Sequence, residues 1–442
     1  MGVKVVKFGG SSLADAGQIK KAAAIIKSDL ERRYVVPSAP GKRFSEDIKV
    51  TDMLYACYGL AERGESFAET FKAIQARYSE IIKGLGIDLS LEEDFEEIAN
   101  GFRSRYGKDY AASRGEYLNG KIIAAYLGFP FIDAAEVIFF HEDGKLNKEK
   151  TNNALRERLC GLDNAVIPGF YGCGADGYVR TFSRGGSDVT GSIVAGAVKA
   201  SLYENWTDVS GFLVADPRIV ENPAVIRTIT YTELRELSYM GASVLHEEAI
   251  FPVRSAGIPI NIRNTNAPEE AGTMIVPESS EEEVSSYTIT GIAGKKHFTT
   301  INIHKDKMNS EVGFCRDVLD VLANNNISME HMPSSIDAMT VIIDSEQLES
   351  KRDLILTQLN KRVAPDKMEV EDGIALVAVV GRGMFRTRGV AARIFAALAH
   401  ARINVKMIDQ GSSELNVIVG VTEDDFEQAI RCIYDMFVNS VE

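Results

Sequence analysis

The chain has 442 residues, of which 45% are hydrophobic and 25% charged, and its formal net charge is −14. This length predicts more than one folded domain. No apolar run reaches the roughly 18 residues of a membrane helix, so no membrane partner is expected. The net negative charge argues against nonspecific binding of nucleic acid. The first predicted strand starts at once, without the basic and apolar regions of a secretory signal, which predicts a cytoplasmic protein.

The five cysteines are scattered without a CxxC spacing, and the six histidines form no ligand spacing on one helix. We therefore expect reduced thiols and no metal ion bound by the protein alone.

A glycine turn follows the first predicted strand, which covers residues 3–6. Lys7 precedes Gly9, Gly10 and Ser11. Backbone N–H groups at glycines can approach an anion closely, and the lysine adds a positive charge, so this turn is a candidate phosphate site. An ordinary glycine-rich turn with a surface lysine is the structural alternative.

Short apolar runs alternate with helical patterns through the N-terminal half. Strands are predicted at 34–36, 131–132, 165–167 and 259–262, and helices at 18–31, 67–85, 95–106 and 115–127. This alternation predicts a mainly parallel sheet with helices on both faces. In such sheets ligands bind beyond the carboxyl ends of the strands. The residues at or just after the predicted strand ends are Lys7, Ser38, Asp133, Gly169 and Asp208.

Two further turns carry charged residues. Arg184, Ser187 and Asp188 surround a second glycine pair that opens a helix rich in small residues. There Arg184 could bind a carboxylate or phosphate, and Asp188 would lie in the first helical turn. Thr207-Asp208 and Asp216-Pro217-Arg218 then alternate acid and base around loops. A capped structural helix and solvated loops are the alternatives.

An acidic, loop-like stretch begins after about residue 266 and predicts a linker between domains. Beyond it, residues 313–323 resemble residues 389–399, at an offset of 76 residues. Each copy has a strand before its helix and another after it, which predicts a duplicated βαβ-type unit. Two purely structural dimerisation modules would explain the same repeat.

The three turns, taken in order with Thr51 and Glu116, resemble the signatures of the aspartokinases, which belong to the amino-acid kinase family. The resemblance covers essentially the whole chain. It implies an α/β fold: a three-layer αβα kinase domain with a mainly parallel sheet (1–275), followed by two ferredoxin-like ACT modules (284–360 and 370–442). It also implies a homodimer, or a larger assembly, formed through the ACT modules.

The activity that this resemblance implies is phosphorylation of the β-carboxylate of L-aspartate to 4-phospho-L-aspartate. ATP would be the co-substrate, with Mg²⁺, and the reaction is the entry step to lysine, threonine and methionine synthesis. The same resemblance assigns roles to individual residues. The catalytic residues would be Lys7 and Asp188, the aspartate-binding residues Thr51, Glu116, Arg184 and Ser187, and the ATP-binding residues Lys7, Gly9, Gly10, Ser11, Thr207, Asp208, Asp216 and Arg218.

The duplicated modules imply feedback control by an amino acid, lysine or alternatively threonine. Met308, Ser328, Met329 and Glu330 would bind this effector. The chain departs from the family pattern at Ser243, where some members have lysine, and at Leu213, where an aromatic residue lies near the adenine.

Two alternatives stay open at this point. The first is another kinase of the same family, acting on glutamate, acetylglutamate, carbamate or a nucleoside monophosphate. Thr51, Glu116 and the duplicated modules argue against it. The second is an inactive amino-acid-binding regulator, which the presence of Lys7, Arg184 and Asp188 disfavours.

Overall fold

The computed structural model describes residues 2–183, 185–242, 247–277 and 288–439. The chain forms two compact units. The first comprises Met1–Phe212, Arg227–Tyr231 and Val244–Ser280, and the second comprises Leu213–Ile226, Thr232–Ser243 and Glu281–Glu442. Within the described ranges, no helix is both long and apolar enough to cross a membrane.

A seven-stranded sheet forms the centre of the first unit, in the order β3-β2-β1-β6-β8-β9-β7. Its pairs are parallel except for β8 with β9. The strands are β1 (Lys4–Phe8), β2 (Arg32–Pro37), β3 (Ala165–Val166), β6 (Leu202–Thr207), β7 (Thr228–Thr230), β8 (Ile260–Asn264) and β9 (Thr273–Val276), beside a hairpin of β4 (Tyr171–Cys173) and β5 (Val179–Thr181).

The helices between residues 16 and 256 confirm the predicted alternation. They are α1 (Ala16–Lys27), α2 (Val50–Glu62), α3 (Ala68–Leu85), α4 (Glu92–Arg103), α5 (Lys108–Leu127), α6 (Ala134–Val137), α7 (Lys148–Leu159), α8 (Gly186–Val198), α9 (Tyr231–Tyr239) and α10 (Glu247–Ala256). The helix predicted at 115–127 begins seven residues earlier, at Lys108. The predicted strand at 131–132 is reduced to a single bridge between Phe131 and Val166.

Burial on both faces explains why β1 carries apolar side chains on both sides of the sheet, at Val5, Val6 and Phe8. Val6 and Phe8 lie in a core formed with α1, α3, α4 and α5. Val5, which alternates with them along the strand, faces the opposite side, where α8 packs on β1 and β2. Strands buried on both faces lose the polar alternation of a half-exposed sheet. The αβα layering predicted from the sequence is therefore confirmed.

The second unit is built on a five-stranded antiparallel sheet in the order β11-β10-β12-β14-β13. Its strands are β10 (Gly291–His304), β11 (Ala338–Asp344), β12 (Lys367–Val380), β13 (Met407–Asp409) and β14 (Asn416–Thr422), and its helices are α11 (Phe314–Asn324), α12 (Ser345–Glu349), α13 (Arg352–Val363), α14 (Val390–His400) and α15 (Phe426–Tyr434), followed by a wider helical turn at Asp435–Asn439.

The predicted internal repeat is present. Short helical turns at Met308–Ser310 and Met384–Arg386 lie 76 residues apart. The helices α11 and α14 follow at the same offset, each with 11 residues and each after a glycine with positive φ. Two equivalent backbone paths at a constant spacing confirm a duplicated module.

The two repeats share the strands β10 and β12. Phe298–His304 pairs with β11 and with the first half of β12, whereas Gly291–Lys295 pairs with the second half of β12. The register shifts between these two halves, next to His297, whose φ is +72°. The sheet is thus continuous across both repeats, and the boundaries 1–275, 284–360 and 370–442 stay a prediction.

Candidate active site

Two backbone turns meet at the carboxyl ends of β1 and β2. The Gly10 carbonyl accepts a hydrogen bond of 2.8 Å from the Gly41 N–H. A Cβ atom on Gly10 would lie 3.0 Å from the Ala39 carbonyl oxygen, and one on Gly41 would lie 2.5 Å from the Gly10 carbonyl carbon. The position of Gly41 therefore leaves no room for a Cβ, and that of Gly10 leaves very little.

A cavity of about 590 Å³ opens beside these turns. It collects residues that are far apart in the sequence and that follow three different strands. The residues lining it are Gly9, Gly10, Ser11, Ala39, Pro40, Gly41, Lys42, Arg43, Phe44, Ser45, Lys49, Thr51, Glu116, Thr207 and Asp208. Seven of the residues that the sequence assigns to aspartate or ATP therefore border one space: Gly9, Gly10, Ser11, Thr51, Glu116, Thr207 and Asp208.

Lys7 and Asp188 form a buried ion pair. The distance from Lys7 Nζ to Asp188 Oδ1 is 2.6 Å, and the two side chains are 10% and 15% exposed. Lys7 is the penultimate residue of β1, two residues before Gly9, and Asp188 lies in the first turn of α8, where the helix dipole stabilises a negative charge. The pair that the sequence assigns to catalysis is thus in direct contact.

Asn205 joins this pair and was missed in the sequence. Its Oδ1 accepts a hydrogen bond of 3.2 Å from Lys7 Nζ, and its Nδ2 donates one of 2.9 Å to Asp188 Oδ1. Aligning the ends of β1 and β6 as neighbouring parallel strands would have pointed to it, because Lys7 and Asn205 occupy paired positions.

Glu116 presents a carboxyl group to the cavity from the middle of α5. The residue is 6% exposed, and its Oε2 atom is buried without a hydrogen-bond partner among the described residues. Burial raises the pKa of Glu116 to about 8, although the backbone N–H of Ala39 and the Arg114 charge favour the ionised form. A buried carboxyl with one free oxygen can bind a cationic group that enters the cavity.

A basic loop covers one wall of the cavity and was also missed in the sequence. Lys42, Arg43 and Lys49 line the space, between the end of β2 and the start of α2. Arg43 is held by Asp47 at 2.8 Å, whereas Lys42 Nζ donates to the Ser45 carbonyl at 3.1 Å. These cations make the cavity favourable for anionic ligands although the whole chain is acidic.

Arg184, which was predicted to bind an aspartate carboxylate, lies outside the described residues, whereas the rest of the second glycine turn is described. Gly185 has φ +57° and precedes α8. Ser187 is 8% exposed and lies so close to Gly169 that a Cβ there would come within 2.6 Å of it. The end of β3 and the start of α8 therefore meet at Ser187.

The residues assigned to the nucleotide fall into two groups. Thr207 ends β6, Asp208 follows it, and both line the cavity; Thr207 Oγ1 donates to Asp208 Oδ1 at 3.2 Å. Asp216 and Arg218 form an exposed ion pair of 2.6 Å in the segment that belongs to the second unit, and they do not line the cavity. Leu213 pairs with Val225 in that segment, and Ser243 lies outside the described residues.

The residues assigned to the effector all lie in the second unit. Met308 is buried in the core between β10, β11, α11 and α13. The Ser328 N–H donates to Gln347 Oε1 at 3.2 Å, and Met329 is 36% exposed. The Tyr239 hydroxyl of α9 donates to Glu330 Oε2 at 2.5 Å. Desolvation and the contact with Glu330 raise the pKa of Tyr239 to about 12.

In the part of the chain that the structure describes, no three His, Cys, Asp or Glu side chains are grouped to hold a metal ion. The expectation that the protein has no metal site of its own stays a prediction.

A parallel α/β domain with a glycine turn, a buried lysine–aspartate pair and a basic cavity is typical of enzymes that transfer phosphoryl groups to small molecules. Comparison with known proteins specifies the class. A family model for the amino acid kinase family matches residues 2–264, and an ACT domain model matches residues 377–437. The chain belongs to the amino acid kinase family and, within it, to the aspartokinases.

Several relatives match over nearly their full length. Aspartokinase 3 of Bacillus subtilis is 39% identical over 454 residues, covering 99% of each chain. The crystal structure of Clostridium acetobutylicum aspartate kinase is 53% identical, with a TM-score of 0.90, covering 99% of this chain and 100% of that one. Two crystal structures of Escherichia coli aspartokinase III are 26% identical, with TM-scores of 0.71, and cover 98% and 99% of this chain and 99% of theirs. One contains aspartate and ADP (R-state), and the other contains lysine and aspartate (T-state).

Proposed function

We propose that this aspartate kinase transfers the γ-phosphoryl group of ATP to the β-carboxylate of L-aspartate, giving 4-phospho-L-aspartate and ADP. The observation that carries the proposal is the cavity that brings Glu116 and Thr51 beside the glycine turn after Lys7. The E. coli relative bound to aspartate and ADP supports the same pair of ligands.

The chemistry requires little acid or base catalysis, because the attacking carboxylate is already ionised. One carboxylate oxygen forms a bond to the γ-phosphorus while the bond from that phosphorus to the β,γ-bridging oxygen breaks, and ADP keeps the electron pair. The barrier comes mainly from bringing two anions together in line. Lys7 neutralises charge on the transferring group, and Asp188 holds the Lys7 ammonium in place at 2.6 Å.

Aspartate binds through its three charged groups. The Glu116 carboxylate receives the α-ammonium group, since it is buried in the cavity wall with one oxygen unused by the described residues. Arg184 pairs with a carboxylate, for which its planar guanidinium is suited. Thr51 and Ser187 supply hydroxyl groups at the first turns of α2 and α8.

The nucleotide phosphates lie over the turn of Gly9, Gly10 and Ser11, with Thr207 and Asp208 at the other wall. Asp216 and Arg218 are assigned to ATP by the family resemblance alone. Mg²⁺ would be bound mainly by phosphate oxygens and water, with Asp188 and Asp208 as the carboxylates near the phosphates. Binding mainly by phosphate and water fits the described residues, in which no three His, Cys, Asp or Glu side chains are grouped to hold the ion without a nucleotide. The ion would neutralise charge on the phosphates.

A coupled assay tests the proposal directly. With MgATP, ADP formation should depend on aspartate, and hydroxylamine should trap the product as a hydroxamate, which identifies an acyl phosphate. Glutamate, acetylglutamate, carbamate and UMP serve as competing acceptors. Turnover of one of these in preference to aspartate would contradict the proposal, and no turnover with any of them would indicate an inactive amino-acid-binding regulator.

We further propose feedback inhibition by lysine, or alternatively threonine, at Met308, Ser328, Met329 and Glu330. The T-state E. coli structure with lysine supports an amino-acid effector in this family. The Glu330 carboxylate would pair with the effector ammonium and would have to release or share the Tyr239 hydroxyl. Initial rates with lysine, threonine and methionine, singly and in pairs, test this; full activity at millimolar levels of all of them would refute it.

The remaining expectations concern assembly and context. We propose a homodimer formed through the second unit, because β13 is an edge strand of its sheet and edge strands can pair with another chain. Sedimentation at increasing protein concentration tests this. The cytoplasmic location and the place at the start of lysine, threonine and methionine synthesis stay predictions.

A further inference from the structure

Asn205 lies where the register of two strands places it beside Lys7. The strands β1 and β6 run parallel with a constant register from Lys4 opposite Leu202 onward, which places Lys7 opposite Asn205. Paired residues of neighbouring strands direct their side chains to the same face of a sheet. The Asn205 amide therefore extends toward the same side as the Lys7 side chain, and Asp188 approaches both from the first turn of α8.

These three side chains form a closed ring of contacts. Lys7 Nζ lies 2.6 Å from Asp188 Oδ1 and 3.2 Å from Asn205 Oδ1, and Asn205 Nδ2 lies 2.9 Å from the same Asp188 oxygen. Asn205 is 4% exposed and Lys7 is 8% exposed. An amide is suited to this position because it offers one acceptor to the ammonium and one donor to the carboxylate.

We propose that Asn205 is a positioning residue for phosphoryl transfer, which orients the Lys7 ammonium and the Asp188 carboxylate relative to each other. This inference rests on the proposed function of Lys7. A lysine ammonium is a point charge on a flexible four-carbon chain, so one ion pair leaves its direction free. The second contact, to Asn205 Oδ1, fixes that direction without adding charge.

Asn205 could instead merely complete the hydrogen bonding of a buried strand end. The two roles differ in what a substitution changes. A purely structural residue would alter stability and affect both substrates and turnover together. A positioning residue would lower kcat while the KM values for aspartate and ATP stay near wild type, because Lys7 acts mainly in the transition state.

The first test is Asn205→Leu, which removes both hydrogen bonds and keeps the number and branching of the side-chain heavy atoms. We expect kcat to fall about tenfold or more, with both KM values within about twofold of wild type. Asn261→Leu is the matched control, because Asn261 lies on the neighbouring strand β8, opposite Glu204 rather than Asn205, and its Oδ1 atom has no hydrogen-bond partner among the described residues. A kcat within about twofold of wild type for Asn205→Leu, or the same losses in both variants, would overturn the proposal.

The second test is Asn205→Asp, which keeps the size and polarity of the side chain and covers the case in which the leucine variant fails to fold. The new carboxylate keeps an acceptor for Lys7 Nζ, but it loses the donor to Asp188 Oδ1 and places a second negative charge beside that carboxylate. We expect kcat to fall at least about tenfold with both KM values within about twofold of wild type, because repulsion between the two carboxylates disturbs the contact of Asp188 with Lys7. A kcat within about twofold of wild type would refute the positioning role. Absence of aspartate-dependent turnover in the wild type would instead refute the proposed function.

Discussion

The protonation of Glu116 should control the affinity for aspartate. Burial raises the pKa of this carboxyl to about 8, so at neutral pH most of the free enzyme carries it protonated. Only the ionised form can pair with the α-ammonium group. The KM for aspartate should therefore fall as the pH rises, by roughly 25-fold between about pH 6.5 and about pH 8.5, because the ionised fraction grows about tenfold per pH unit below the pKa and levels off above it.

The same shift has the opposite consequence for stability. Because the folded-state pKa lies above the unfolded value of about 4.5, Glu116 costs no stability below that pH and destabilises the folded state increasingly as the pH rises toward 8. At pH 8, a pKa shift of this size lowers the free energy of unfolding by on the order of 4 kcal/mol.

Glu116→Gln separates these two effects in one variant. It should raise the KM for aspartate and abolish its pH dependence, while it raises the free energy of unfolding of the unliganded protein at pH 8 by at least about 1 kcal/mol. Initial rates between about pH 6.5 and about pH 8.5 and thermal unfolding at both limits measure these quantities. A wild-type KM that does not change with pH, or a glutamine variant with the wild-type pH profile, would refute the assignment of Glu116 to the ammonium group.

Four further substitutions test the site and its control. Lys7→Ala should lower kcat about a hundredfold, equivalent to roughly 3 kcal/mol, with little change in aspartate affinity; a near-normal kcat would contradict its role. Arg184→Lys should raise the KM for aspartate more than that for ATP, because an ammonium cannot make a two-pronged contact; equal shifts would argue against an aspartate contact. Glu330→Ala should raise the inhibitory effector concentration at least about tenfold at unchanged uninhibited rate. Tyr239→Phe should lower that concentration several-fold, since Glu330 loses a hydrogen bond worth about 1 kcal/mol; an unchanged value would exclude competition for Glu330.

Local patterns carried most of what the sequence could predict. The candidate phosphate turn follows an apolar strand and contains two adjacent glycines, and the two repeats are separated by a constant number of residues. Both patterns can be read in the sequence without a structure. Asn205 could not be predicted in this way, because its role depends on the register between β1 and β6, nearly two hundred residues apart. The sharing of β10 and β12 by both repeats likewise depends on long-range pairing, and the register shift beside His297 marks where that pairing changes from one repeat to the other.

The cavity must attract two anionic substrates and must also bind the α-ammonium group of aspartate. Aspartate and ATP both approach a chain with a net charge of −14, so the cavity needs local positive charge, which Lys42, Arg43 and Lys49 supply. An ionised Glu116 in the same wall would oppose that field. Because burial keeps this carboxyl largely protonated until the α-ammonium group arrives, the free site repels anions less, and the proton leaves when the ion pair forms. Aspartate binding should therefore release close to one proton at neutral pH, which calorimetry in buffers of different ionisation enthalpy can count; release of no proton would show that Glu116 is already ionised in the free enzyme.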